Sequence, residues 1–141
     1  MRVTDFSFSF RVSHPSADLA HLPERLGLEC GRVWKAGEPR TNPKGGALPG
    51  VNRSSYCWLK TSLAPEHTLP QAIAAFLDYL RPHKALLDEL HTGGGELELF
   101  VYWSSDANTG ETFEPVLLRA MADMNMALSL DIYGSQVPKS R

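Results

Sequence analysis

A chain of 141 residues with 43% hydrophobic composition is sized for one globular domain whose core needs no disulfide or metal to fold. Its formal net charge of −2 argues against general nucleic-acid binding, and no apolar run approaches the roughly 18 residues of a membrane span. The amino terminus, MRVTDFSFSFRVSH, alternates in polarity and lacks the continuous apolar stretch of a signal peptide. A cytoplasmic location is therefore expected, with Cys30 and Cys57 as reduced thiols.

In chain order, Phe6, Phe8, Phe10 and Val12 alternate with Ser7, Ser9, Arg11 and Ser13, the period of a half-buried strand. Ser16 is a helix-capping candidate, and Leu19, Leu22 and Leu26 share a helical face ended by Gly27. Pro23 inside that span predicts a short or bent helix. A second short strand is expected over CGRVWK (30–35), too short to fix which way Trp34 points. Residues 36–53, AGEPRTNPKGGALPGVNR, have neither helical nor strand period and read as a long exposed basic loop. A third strand follows over 55–63, with Cys57, Leu59 and Leu63 on one face and Tyr56, Trp58 and Lys60 on the other.

Thr68-Leu-Pro-Gln71 is a capping box that opens a helix carrying Ile73, Phe76, Leu77 and Leu80. Pro82 kinks or divides the helix, Leu86, Leu87 and Leu90 continue its apolar side, and Gly93-Gly94-Gly95 stops it. Leu97, Leu99, Val101 and Trp103 alternate with Glu98, Phe100 and Tyr102 in a fourth strand. After the loop 104–115, Pro115 opens a helix carrying Leu117, Leu118, Met121 and Met124, which Asn125 ends. Met126, Leu128, Leu130 and Ile132 then alternate with Ala127, Ser129, Asp131 and Tyr133 in a fifth strand, followed by a frayed tail over 135–141.

The order β-α-β-β-α-β-α-β places residues 1–141 in one α+β domain. Its first six elements follow the ferredoxin-like βαββαβ pattern, with an αβ unit added. Alternation in the longer strands predicts a two-layer sandwich, a mainly antiparallel five-stranded sheet with helices on one face and the other face open.

RVWKAGEPR (32–40), ELFVYWSSD (98–106) and LSLDIYG (128–134), preceded by LGL (26–28), occur in an order that resembles a bacterial family known as domain of unknown function number 4279. The resemblance runs from Phe6 to Gly134. It implies a stand-alone cytoplasmic domain, and it brings neither an activity nor catalytic residues to carry over. Small bacterial proteins of this kind include toxin-immunity partners, so an immunity role is one alternative that the resemblance suggests.

The motifs of chemistry are thin. His14, His21, His67, His83 and His91 form no HExxH pair, and none stands near the cysteines at a zinc-type spacing, so no metal or cofactor is expected. Gly93-Gly94-Gly95 follows a helix rather than preceding one, which is wrong for a phosphate loop. Neither Ser54-Ser55 nor Ser104-Ser105 has the glycine flanks of a nucleophile elbow. Asp106 and Glu111 share a loop and read as solvated acids.

Two surface features remain. In residues 32–53, Arg32, Lys35, Arg40, Lys44 and Arg53 stand against Glu38 alone, a local +4 that can attract anions. The face expected to lie open collects Arg11, Tyr56, Trp58, Lys60, Glu98, Phe100, Tyr102, Asp131 and Tyr133, where a solvated sheet normally shows threonines and charges. Base stacking is disfavoured there, because Glu98 and Asp131 repel phosphates and no RNA-binding signature is present. The expected function is a non-catalytic interaction protein. It holds a protein partner or a second copy on this face, with Trp34, Lys35 and Arg40 at the basic rim. The alternative is an anionic small-molecule site or a modest enzyme in the same cleft, with Lys35 and Arg40 binding the anion and Asp106 as general base.

Overall fold

The computed structural model describes residues 4–62 and 67–134. Leu63 and the tail over 135–141 lie outside the described residues. The elements are β1 (Thr4–His14), α1 (Leu22–Leu26), β2 (Cys30–Trp34), β3 (Pro39–Thr41), β4 (Ala47–Val51), β5 (Ser55–Lys60), α2 (Leu69–Leu80), α3 (Lys84–Thr92), β6 (Glu96–Ser105), α4 (Pro115–Asp123) and β7 (Met126–Tyr133). A 3-10 turn over Arg81–His83 separates α2 from α3.

Five strands form one sheet in the order β2-β5-β1-β6-β7. The pairs β1–β5, β1–β6 and β2–β5 are antiparallel, and β6–β7 is parallel, with α4 connecting that last pair. The fold is therefore α+β with a mainly antiparallel five-stranded sheet. The period of two puts Phe8, Phe10, Val12, Cys57, Leu59, Leu97, Leu99, Val101 and Trp103 on one face, and all are buried. They share one core cluster with Leu19, Leu22 and Leu26, with Ile73, Phe76, Leu77 and Leu80 of α2, with Leu87 of α3, and with Leu117 and Met121 of α4. Phe76 meets Phe8 and Phe10 edge-on, with ring centroids 5.6 and 5.8 Å away.

Helix α2 begins as the capping box requires. The Gln71 N–H donates to Thr68 Oγ1 at 3.3 Å, and the Thr68 N–H donates to Gln71 Oε1 at 2.9 Å. Pro82 divides the helix instead of bending it, because its ring forbids the hydrogen bond that a continuous helix needs there. Asn125, with φ 54°, makes the left-handed turn from α4 into β7. At Gly95 a Cβ would stand 2.6 Å from the Leu90 carbonyl oxygen and 3.1 Å from that of Ser13. The triple glycine is thus a close backbone crossing as well as a helix stop.

Three expectations are corrected. Ser16 caps no helix: its N–H and that of Ala17 donate to His14 Nδ1 at 3.0 and 2.8 Å, turning the chain locally, and α1 starts only at Leu22. The helix is short, five residues, as Pro23 predicted; the proline sits in its first turn, where a missing N–H costs nothing. Residues 36–53 are not a strandless loop. Pro39–Thr41 and Ala47–Val51 pair as an antiparallel hairpin, fully exposed and separate from the main sheet, with a turn in which the Lys44 and Gly46 N–H groups donate to Asn42 Oδ1. The hairpin has no buried face, so no alternation marks it. Leu118 on α4 and Leu130 and Ile132 on β7 are 48%, 44% and 62% exposed; along the edge strand β7 burial falls off from Met126 toward Tyr133.

Both cysteines are free thiols, Cys30 exposed and Cys57 buried. Burial pushes the Cys57 thiol up to about 12, with Cys30 beside it raising it further. A disulfide-exchange reagent at pH 8 is therefore expected to modify one thiol per native chain and two after unfolding in urea. The stability contribution has a defined sign. An unfolded Cys57 ionises near its ordinary value of 9.0 while the folded one does not. Stability is then full below pH 9 and declines as pH rises from 9 toward 12, in a denaturation series read against a Cys57→Ala control.

Candidate functional site

The residues that alternate with the core set lie on the opposite face of the sheet, and the registers arrange them in rows. Trp34 lies opposite Tyr56, Tyr56 opposite Ser13, and Ser13 opposite Glu96. The next row runs Arg32, Trp58, Arg11, Glu98, Ala127. Then come Lys60, Ser9, Phe100, Ser129, and after them Ser7, Tyr102, Asp131. The orientation of Trp34, open from the sequence, is thereby fixed: it shares the face of Tyr56.

The central strand β1 supplies mostly serines to this face, while its neighbours β5 and β6 supply aromatic rings. The outcome is a trough along β1, a cavity of about 350 Å³ lined by Ser7, Ser9, Arg11, Trp58, Phe100 and Tyr102 together with Phe8, Lys60 and Thr61. Across the same face the rings make contacts with one another and with arginines. Trp34 stacks on Tyr56 at 4.5 Å between centroids, and Tyr102 leans on Tyr133 at 5.0 Å. The Arg11 guanidinium stands 3.8 Å over the Phe100 ring, and Arg32 stands 4.8 Å over Trp34. Such contacts leave most of the rings half-buried, with Tyr102 and Tyr133 still 38% and 43% exposed.

Polar groups fix these positions. Arg11 Nε donates to Ser9 Oγ at 3.1 Å, and the Ser129 hydroxyl donates to the Glu98 carboxylate. The Trp34 indole N–H donates to the Ser54 carbonyl at 3.1 Å. Burial pushes the Tyr56 phenol above its ordinary range while Arg11 pulls it back, and the Asp131 charge raises that of Tyr133. Both phenols hold their protons at neutral pH and offer O–H donors rather than nucleophilic phenolates.

Trp58 owes its position to a residue that the sequence reading passed over. A Cβ on Gly31 would lie 2.5 Å from three atoms of the Trp58 ring, so the indole lies flat against the bare backbone of β2. The β2–β5 register shifts between Cys30 and Arg32, at that glycine. A glycine inside a strand pattern marks a bulge or a close approach and was the available signal. Arg32, Ser9 and Ser129 were also missed as parts of the face, since their contacts depend on register.

The expected site residues divide into two groups. Arg11, Trp34, Tyr56, Trp58, Lys60, Phe100, Tyr102, Asp131 and Tyr133 share the face, although Lys60 is held by Glu29 at 2.7 Å on an exposed edge. Arg40 lies beyond Trp34. Its Nη1 donates to the Pro49 carbonyl, and it lines a cavity of about 640 Å³ with Trp34, Asn52, Arg53 and Ser54 at the base of the hairpin. Lys35 is exposed beside Trp34, and its carbonyl accepts from Asn52 Nδ2. Asp106 follows Ser105 at the other end of β6, ten residues from the row that contains Trp34, about 30 Å at the rise of a strand. It therefore cannot serve as base to an anion held by Lys35 and Arg40. Among the described residues no cluster of metal-ligating side chains is present, and no helix is long and apolar enough to cross a membrane.

The strand motifs carrying the aromatic rows lie within residues 4–135, which match a family model described as Domain of unknown function (DUF4279). The chain belongs to the DUF4279 family. The match spans the whole five-stranded sheet and the hairpin, so both the aromatic face and the basic rim are part of the DUF4279 domain. Comparison with curated proteins and with solved structures gives no match.

Proposed function

We propose that this DUF4279 protein is a non-catalytic interaction protein of the bacterial cytoplasm that holds a protein partner on the open aromatic face. The observation that carries this reading is the trough along β1: serines and one arginine on its floor, Trp58 on one wall, Phe100 and Tyr102 on the other, and no helix-side residue in its lining apart from Phe8. Aromatic and arginine side chains dominate the energetics of protein interfaces, and here they are already ordered by their mutual contacts, so little side-chain freedom is lost on binding. The protonated phenols and the cation–π pair supply donors without supplying a nucleophile and base.

We also propose the ferredoxin-like βαββαβ unit, with an αβ addition, as the fold, in two layers. The strand order β2-β5-β1-β6, with β7 added beyond β6 and the helices contributing to one core cluster, supports it.

A second reading rests on the 640 Å³ cavity where Arg40 and Arg53 meet Trp34: an anionic small molecule bound at the rim. Without Asp106 nearby, that reading is a binding site and not an enzyme.

Photo-crosslinking separates the face from the rest of the surface. A benzophenone amino acid at Tyr102, on the face, is compared with one at Ala74, exposed on α2. Discrete adducts with a cellular protein are expected from position 102 and not from position 74. Equal or absent labelling at the two positions contradicts the reading.

A further inference from the structure

The two edges of the sheet are built differently. The β2 edge is five residues long, interrupted by the shift at Gly31, and carries Arg32. Short length, bulges and positive charges are the devices by which edge strands avoid pairing with other chains. The β7 edge is neither short nor bulged, and its one charge is Asp131. It is eight residues long, MALSLDIY, contains no glycine, proline or lysine, and pairs without a shift to β6 on its inner side. Among the described residues it has no strand neighbour on its outer side. Leu130 and Ile132 are 44% and 62% exposed there, and on α4, which packs on β7, Val116 and Leu118 are 73% and 48% exposed.

We propose that β7 pairs antiparallel with β7 of a second copy of this chain, making a two-fold dimer with one continuous ten-stranded sheet. The occupant follows from self-complementarity. A two-fold axis normal to the sheet keeps the two faces aligned, so residues of the same parity must lie opposite each other. Centred on Leu130, this register sets Leu130 against Leu130 of the second copy and Leu128 against Ile132. On the other face it sets Ser129, whose hydroxyl already donates to Glu98, against Asp131, so no two carboxylates are directly opposed. Centred on Asp131, it would set two carboxylates together, which is unfavourable for directly opposed residues. The Leu130 register thus joins the exposed apolar side chains without a like-charge contact, and the strand's unpaired backbone groups gain partners. The dimer uses the sheet edge and leaves the trough along β1 open, so it is independent of the function proposed above.

Light scattering after gel filtration should give twice the chain mass for the native protein. Leu130→Lys with Ile132→Lys should halve that mass with unchanged circular dichroism, both side chains being exposed. Trp58→Ala with Tyr102→Ala should leave the dimer intact. In a Cys30→Ser background, Leu130→Cys should form a symmetric disulfide on air oxidation, while Val116→Cys should not. A native monomer at the highest attainable concentration overturns the proposal. So does a dimer that survives the lysine pair, or a folded dimer in which position 130 fails to cross-link.

Discussion

Phe10→Ala is expected to lower folding stability by about 3–5 kcal/mol, the largest loss of any single truncation considered for this protein. Phe10 is fully buried at the centre of β1, the strand in the middle of the sheet, between Leu59 on β5 and Leu99 on β6. Its ring meets Phe76 edge-on, and Phe76 also meets Phe8. Removing it leaves a cavity that strands on both sides and α2 above cannot close, because interiors of this density relax only partly. A loss of that size is a large share of the roughly 5–15 kcal/mol that holds a domain together. Urea denaturation should show a lower midpoint with an unchanged slope. A loss below about 1 kcal/mol would mean that β1 is not the central core strand.

Gly31→Ala comes next, at about 1–3 kcal/mol, through overpacking. The new methyl would overlap the Trp58 indole at 2.5 Å, and the ring atoms it meets are rigid, so the whole side chain must swing away. Of the three indole N–H resonances, that of Trp58 should shift most, while that of Trp34, bonded to the Ser54 carbonyl, should stay near its native position. The same substitution reshapes the wall of the trough and should weaken anything bound there. An unshifted Trp58 resonance together with unchanged stability contradicts the packing described for this wall.

Much of this architecture was legible in the sequence. Phe8, Phe10 and Val12, and Leu97, Leu99 and Val101, are buried on one face only, and a half-buried strand writes that difference as a period of two. Thr68 and Gln71 announced the start of α2, Pro82 its end, and Asn125 the end of α4, because each solves a local backbone problem. What escaped depended on long-range placement. The β3–β4 hairpin has no buried side and so no pattern. Leu130 and Ile132 read as core because alternation reveals a face but not whether a helix reaches it. The membership of the aromatic face followed from parity, yet its pairings, and the separation of Asp106 from Arg40, required the register and strand order. Gly31 went unread, because its role depends on Trp58, a residue of another strand, lying against it.

The central claim is that the aromatic trough along β1 is an interaction surface, and one comparison tests it most directly. Trp58→Ala with Tyr102→Ala removes one wall residue from each side of the trough while leaving the core face untouched. Tagged native and double-variant proteins are passed over lysate from the source cells, and the retained proteins are quantified by mass spectrometry. The prediction is that a partner held in stoichiometric amount by the native protein is lost from the double variant, with both proteins equally folded by circular dichroism. Equal retention by the two contradicts the claim and moves the functional surface elsewhere.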